Sequence, residues 1–176
     1  VAGVCGALSG YFVAYCGVQP MVVTLGGSFL FTGVALLVSN LSATESYKGI
    51  SGFPDSFLQL SKFKLFGVIP CQVIIFLVLA VIAYVLLNKT KYGRMVFLIG
   101  VNKDAAEFSG INTRLITMTT YILSGISAAI AGIILTSYIG TAKSDIGVTF
   151  TLPIITAVVL GGTLSTGGKG SVVGTA

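Results

Sequence analysis

The segment that decides the fold is PCQVIIFLVLAVIAYVLLN, which occupies residues 70–88 and carries no charged side chain. A helix of about 20 apolar residues is long enough to cross the hydrocarbon core of a bilayer. Similar segments occupy residues 21–39 and 115–137, and an apolar run over residues 1–18 opens the sequence. We predict these four segments as spans. A fifth, shorter segment, 148–162, is predicted to be either a tilted span or a half-helix packed inside the bundle.

The composition of the whole chain, like that of residues 70–88, is typical of a membrane protein. Apolar residues make up 55% of the chain and charged residues 9%, and the mean hydropathy is +1.01. Soluble domains carry about 25% charged residues, and so few charges cannot cover a surface that faces water. We therefore predict an all-α fold, a polytopic transmembrane helix bundle. Both ends are expected to be cut points inside a longer polypeptide, because Val1 already lies within an apolar run.

Basic residues indicate which loops face the cytoplasm. Half of the ten Lys and Arg residues fall in the loop 89–114, whereas the longer loop 40–69 carries only three lysines. Lys and Arg accumulate in the short loops on the cytoplasmic side of membrane proteins. The predicted cytoplasmic loop is therefore 89–114, and the predicted extracellular loop is 40–69.

Acidic, basic and histidine side chains are missing from the predicted spans. The sequence has no His, and its five acidic residues all fall in predicted loops: Glu45, Asp55, Asp104, Glu107 and Asp145. Intramembrane proteases, proton pumps and many ion-coupled carriers need ionisable groups at bilayer depth. The three cysteines have neither disulfide-framework nor metal-site spacing. We therefore predict a protein that is not an enzyme, has no cofactor or metal site, and draws energy for uphill transport from a separate subunit.

A glycine cluster near the end of the sequence is similar in composition to a phosphate-binding loop. Residues 161–170 read GGTLSTGGKG, in which Lys169 follows a glycine. A P-loop has four residues between its first Gly and the Gly-Lys pair, and a Ser or Thr after the Lys. Thr163 stands where the first glycine is required, and Gly170 stands where the hydroxyl is required. The cluster is therefore predicted to be a tight turn.

Small residues recur at every fourth position in two of the predicted spans. They include Gly6 and Gly10 in the first span, and Ala128 and Gly132 in the fourth. Such stripes let two helix backbones approach closely in lipid, where van der Waals packing drives association. We therefore predict that these four residues lie in helix–helix contacts.

The cytoplasmic loop carries a pattern typical of a short helix. Asn102 is a suitable N-cap for a helix over residues 103–109, Asp104 lies in the first turn, and Gly110 follows the C-cap. A short helix between two spans is either a solvated connector or a docking element for a soluble partner. The residues themselves leave both interpretations open.

Several motifs resemble those of one family of transport proteins. They are Gly93-Arg94, Ile99-Gly100-Val101-Asn102, Ala105-Ala106 and Ser109-Gly110-Ile111-Asn112 in the cytoplasmic loop, and Ala157-Val158-Val159-Leu160-Gly161-Gly162-Thr163 with Gly167-Gly168-Lys169-Gly170 later in the chain. These motifs are similar to those of the permease subunits of ribose-type bacterial ABC importers. Within that family, segments 49–54 and 96–100 resemble the Lsr-type autoinducer-2 import permeases, in particular their D subunits. Residues 102–112 are more similar to the ribose branch, so two solute classes stay open.

The resemblance implies a role for each part of the chain. It implies a multi-pass permease of a bacterial inner membrane that imports autoinducer-2 or a related small sugar, with ribose or another monosaccharide as the alternative. The implied partners are a cytoplasmic ABC ATPase, a periplasmic or lipid-anchored solute-binding protein, a second permease subunit and the lipid bilayer, and no nucleic acid is implied. The coupling helix that docks on the ATPase would comprise Lys103, Asp104, Ala105, Ala106, Glu107, Phe108, Ser109 and Gly110. The translocation path would pass three side chains with hydroxyl groups, Thr24, Ser28 and Thr156.

A membrane channel or facilitator that works without ATP is the alternative from a different functional class. Such a protein would need no docking helix, and its transport would follow the solute gradient. Uptake into vesicles that contain no ATPase therefore distinguishes the two hypotheses.

Overall fold

The computed structural model describes residues 1–41, 52–54, 57, 64–65, 69–143, 146–164 and 167–175. Three of the predicted loop acids, Glu45, Asp55 and Asp145, lie outside these residues, as does most of the predicted extracellular loop. Helices dominate the described part of the chain. This observation confirms the all-α prediction.

Eight helices and one short ladder make up the regular structure of the described residues. The helices are α1 (Ala2–Ala14), α2 (Pro20–Leu41), α3 (Cys71–Lys89), α4 (Lys91–Val101), α5 (Lys103–Phe108), α6 (Thr113–Ile139), α7 (Val148–Leu160) and α8 (Val172–Thr175). The ladder pairs β1 (Lys64–Leu65) with β2 (Ile69–Pro70) in antiparallel register, with Lys64 opposite Pro70. Each strand of this ladder has two residues, and β2 ends directly before α3 begins.

Three of the described helices are long and apolar enough to cross a membrane: α2, α3 and α6. The longest, α6, has 27 residues, which corresponds to about 40 Å at 1.5 Å per residue. Large apolar side chains on these helices are mostly exposed, and Ala14 and Ala106 are the buried apolar residues of the described part of the chain. Apolar side chains exposed in this way face lipid or neighbouring helices. The protein is therefore a membrane protein.

Two apolar helices, α1 and α7, are shorter, with 13 residues each. Thirteen residues extend about 20 Å, less than the hydrocarbon thickness of about 30 Å. Gly161 forms the C-cap of α7, and Gly162 then turns the chain with a positive φ of 85°. This length favours the half-helix interpretation of residues 148–162.

Helix α4 is a feature that the sequence did not reveal, since residues 95–99 read only as an apolar strip. It begins at Lys91 after Thr90, whose Oγ1 accepts a hydrogen bond from the Gly93 N–H at 3.3 Å. A Cβ on Gly93 would clash with the Leu87 carbonyl, so glycine lets α4 fold back tightly on the end of α3. Glycine inside a helix lowers its propensity by about 1 kcal/mol, and α4 contains two. Tertiary contact overrides that local preference.

The principal packing contact joins α1 to α6 in antiparallel orientation. A Cβ on Gly6 would lie 2.5 Å from the Tyr121 carbonyl oxygen, and one on Gly10 would lie 3.2 Å from the Met118 Cα. On the opposite side, a Cβ on Gly125 would lie 2.6 Å from the carbonyl oxygen of Ala2. The two backbones therefore touch at glycines, as expected for helices that associate by close packing in lipid. The predicted packing residues Gly6 and Gly10 both lie in this contact.

The residues of α6 in this contact differ from the stripe that its sequence suggested. Gly132 is exposed, and a Cβ placed on it would meet no neighbouring atom within 4 Å among the described residues, whereas Ala128 lines a cavity beside α1. Among the described residues, the contact with α1 includes Met118, Tyr121, Ile122, Gly125 and Ile126 of α6. A packing role for Ala128 and Gly132 stays a prediction.

Replacing Gly6 by alanine is expected to weaken the contact between α1 and α6. The new Cβ meets a backbone carbonyl, so the helices must separate, at a cost of about 1–3 kcal/mol. Gly132→Ala is the matched control: it adds the same methyl group in open space and should be neutral or slightly stabilising. Thermal unfolding of both variants in detergent, followed by circular dichroism, measures the difference. Equal stability of the two variants would contradict the packing described here.

Candidate functional site

Helix α5 is a single short helix with complete caps at both ends. At its start, the Asn102 Oδ1 accepts a hydrogen bond from the Ala105 N–H at 3.0 Å. At its end, the Gly110 N–H donates to the Glu107 carbonyl at 3.0 Å, and the Ile111 N–H donates to the Ala106 carbonyl at 3.2 Å. Gly110 has a positive φ of 78°, and this pattern of bonds is the Schellman motif. The predicted N-cap and the predicted glycine after the C-cap are both confirmed.

One face of α5 is anchored and the rest is exposed. Ala106 is 4% exposed, Thr113 at the start of α6 is 2% exposed, and the two helices are in contact. The remaining predicted coupling-helix residues are exposed: Lys103, Asp104, Ala105, Glu107, Phe108, Ser109 and Gly110. Phe108 is the extreme case, with 93% of its surface exposed. An exposed aromatic side chain on a firmly seated helix is a feature of protein–protein contact sites.

The connection from α5 to the next span is short and structured. Only residues 109–112 separate the two helices. Asn112 is the N-cap of α6, and its Oδ1 accepts a hydrogen bond from the Leu115 N–H at 3.2 Å. Backbone bonds close the end of α5, and the Asn112 side chain caps the start of α6, so both ends of this connection are ordered.

A cavity of about 1140 Å³ lies between α1, α2 and α6. Its lining is mainly apolar, and five residues contribute hydroxyl groups: Ser9, Thr24, Ser28, Tyr121 and Ser124. Lys143, which follows the end of α6, is the charged residue that lines it among the described residues. The cavity can therefore accommodate a small uncharged solute that carries hydroxyl groups.

The three hydroxyl residues predicted for the translocation path do not all meet at this cavity. Thr24 and Ser28 line it, whereas Thr156 lies on α7 and does not. Each of the three donates to its own helix: the Ser28 Oγ to the Leu25 carbonyl at 2.7 Å, for example, and the Thr156 Oγ1 to the Leu152 carbonyl at 2.9 Å. Hydroxyls in helices commonly form such bonds. They can then accept a hydrogen bond from a solute, but their own proton is already used.

Three further hydroxyl residues in the cavity were not predicted as path residues, and two of them are serines. Ser9 and Ser124 line the cavity, and neither hydroxyl forms a hydrogen bond within the part of the chain that the structure describes. Both can therefore donate to a bound solute as well as accept from it. The sequence signal for Ser124 was its place among small residues at four-residue spacing, which indicated packing instead. Nothing in the sequence distinguished Ser9.

The glycine-rich turn after α7 packs against α4. Gly167 and Gly168 have positive φ angles of 92° and 80°. A Cβ on Gly100 would lie 2.5 Å from the Gly168 nitrogen, so the backbones of the turn and of α4 touch. The turn also closes on itself, since the Leu164 N–H donates to the Lys169 carbonyl at 3.1 Å. This arrangement is a tight turn, as predicted.

Comparison with known proteins shows what the chain is similar to. The family described as branched-chain amino acid transport system / permease component matches residues 1–176. The chain is 42% identical over 176 residues to the autoinducer 2 import system permease protein LsrD of Photorhabdus luminescens. It is 43% identical over the same length to the proteins of that name from Yersinia enterocolitica and Yersinia pseudotuberculosis.

These relatives are longer than the chain, which is covered completely and spans 53% of the length of each of them. No solved structure matches the chain. The resemblance to Lsr-type permeases that the motifs indicated is confirmed by these identities. Because the family match covers every residue, the chain belongs to this family of transport permeases.

Proposed function

We propose that the protein forms part of the membrane-spanning permease of an ATP-binding cassette importer in the bacterial inner membrane, with α5 as its coupling helix. The observation that carries the proposal is the arrangement of α5, which is capped at both ends, anchored through Ala106 and exposes Phe108. A helix of this kind on a loop rich in basic residues suits docking to a soluble cytoplasmic partner. The proposed partner is the ABC ATPase, and Asp104, Glu107 and Phe108 are its proposed contacts.

The proposed cargo is autoinducer-2, because that is the solute that the relatives are named for. The cavity between α1, α2 and α6 supports a solute of this kind, since hydroxyl groups line it and Lys143 is the one charged residue among its described lining. Ribose or another monosaccharide is the alternative cargo, because it presents the same hydroxyl chemistry. A second permease subunit would complete the translocation path.

The proposed orientation places α5 on the cytoplasmic side and the loop around Phe57 on the outer side. The Ser137 Oγ donates to the Phe57 carbonyl at 2.7 Å, close to the end of α6 that is remote from α5. Residues 113 and 137 of one helix are about 36 Å apart, and this separation supports the proposed placement of the two features on opposite sides of a bilayer. A solute-binding protein is the proposed partner on the outer side.

The proposed mechanism is alternating access without chemistry in the permease itself. ATP binding closes the ATPase dimer and displaces α5, and residues 109–112 carry that displacement to α6. Helix α6 forms one wall of the cavity and packs against α1 through Gly6. A rigid-body movement of α6 therefore changes the shape of the cavity, which is how packed helices convert a local displacement into a change of access.

Reconstitution tests the function directly. Vesicles that contain the complete importer should accumulate labelled autoinducer-2 only with ATP on the side of the ATPase and binding protein on the opposite side. Vesicles that contain the permease without the ATPase should take up none. Uptake in the second preparation that follows the gradient would establish a facilitator and contradict the proposal.

Substitutions on α5 are expected to uncouple ATP hydrolysis from uptake. Glu107→Lys reverses an exposed charge at the proposed interface, and Gly110→Val strains a residue with positive φ by about 1–2 kcal/mol. Both variants should insert into the membrane normally, hydrolyse ATP and lose most uptake. The measurement is uptake and phosphate release in the same vesicles. Normal uptake by both variants would contradict the docking role of α5.

Removal of the unpaired cavity hydroxyls should weaken solute binding. Ser9→Ala and Ser124→Ala each delete one hydrogen bond to the solute, which corresponds to an increase in KM of about two- to ten-fold. Thr156→Val is the matched control, because its hydroxyl bonds its own helix outside the cavity. Uptake measured over a range of solute concentrations separates KM from the maximal rate. A larger KM for the control than for both serine variants would contradict this assignment of the path.

A further inference from the structure

A tyrosine in the first turn of α4 is bonded to two threonines of α6. The Tyr92 hydroxyl lies 2.8 Å from the Thr120 Oγ1 and 3.3 Å from the Thr119 Oγ1. The residues are 28 and 27 positions apart in the sequence, so these bonds join separate helices. Nothing in the proposed docking or translocation path uses them.

The direction of these bonds follows from counting protons. A hydroxyl group donates one proton. The Thr120 Oγ1 donates to the Ile116 carbonyl at 2.8 Å, so the Tyr92 hydroxyl must be the donor to Thr120. The Tyr92 oxygen keeps a lone pair that accepts from Thr119, whose proton is shared with the Ile116 carbonyl at 2.9 Å. Tyr92 is therefore held by both threonines and, through them, by the backbone of α6.

The bond holds α6 beyond its first turn. Thr119 and Thr120 lie six and seven residues after Thr113, the first residue of α6, which is about 10 Å along the helix axis. A first turn can fray, because its backbone N–H groups have no partner within the helix. A contact 10 Å further along moves with the helix as a whole.

Helix α4 is restrained at its two ends by different means. Near its start, Gly93 packs against the Leu87 carbonyl of α3, and near its end Gly100 packs against Gly168 of the glycine-rich turn. Both contacts are made at glycines, and the second also includes the α4 side chains Phe97 and Val101 beside the turn. Tyr92 supplies a directional bond to α6 that these contacts lack.

The orientation of α5 depends on that of α4. Asn102 is at once the C-cap of α4 and the N-cap of α5. A junction of one residue leaves few dihedral angles to adjust, so a rotation of α4 also rotates α5.

We propose that Tyr92 is a positioning residue: its hydroxyl fixes α4 against α6 and thereby sets the angle at which α5 meets the ATPase. This inference rests on the proposed function. When Tyr92 is bonded to Thr119 and Thr120, a displacement of α5 reaches α6 by two routes. One route runs through residues 109–112, and the other runs through α4. Without these bonds, α4 turns about its glycine contacts and absorbs part of the displacement.

The test measures transported solute per ATP hydrolysed in the reconstituted complete importer. Tyr92→Phe removes only the hydroxyl and should lower this ratio about two- to ten-fold, the range expected for the loss of one hydrogen bond. Thr119→Val/Thr120→Val together should have the same effect, and combining them with Tyr92→Phe should add little. Thr120→Ser keeps the hydroxyl and should preserve the ratio. Tyr138→Phe is the control, since its hydroxyl forms no hydrogen bond within the described residues.

The outcomes separate this inference from the function on which it rests. If the unsubstituted importer transports without ATP, the proposed function is wrong. If it is driven by ATP but Tyr92→Phe matches the Tyr138→Phe control, the positioning role of Tyr92 is wrong. A fall in the amount of inserted protein that lowers uptake and hydrolysis in proportion would show a role in folding alone and would also overturn the inference.

Discussion

The structure depends on one constraint: the interior of a bilayer has no water to bond to backbone N–H and C=O groups. Helices satisfy these groups internally, and α2, α3 and α6 do so over lengths that suit a membrane. The same constraint acts on polar side chains. The hydroxyls of Thr24, Ser28 and Thr156 all donate to carbonyls of their own helices, so an unused hydroxyl such as that of Ser9 stands out as available to a solute.

Lipid also removes the hydrophobic effect as a force between helices, because lipid tails are as apolar as the side chains. Close backbone approach takes its place. Glycines provide that approach where α1 meets α6, where α4 folds back on α3, and where the glycine-rich turn meets Gly100. Close approach at glycines therefore occurs both in the wall of the cavity and where α4 packs against its neighbours.

Water satisfies backbone groups outside the membrane, yet the loop 89–114 between two spans is ordered by its own side chains. Thr90, Asn102 and Asn112 cap the starts of α4, α5 and α6 in succession. Each N-cap contributes about 1 kcal/mol. Three caps within this loop make it a stiff connection between α3 and α6. A connection that transmits a displacement from one helix to another has to be stiff.

The sequence by itself determined the membrane class, the long spans and the caps of α5, because these follow from local properties: apolar length, charge, and the preferences of Asn102 and Gly110. It also identified Gly6 and Gly10 as packing residues, since small-residue spacing is visible along one helix. Only the tertiary structure decided that they contact α6, at Met118, Tyr121 and Ile122, because a spacing along one helix does not name its partner. The bond from Tyr92 to α6 and the convergence of Ser9 with Ser124 likewise join residues distant in the chain, and no local pattern encodes such meetings.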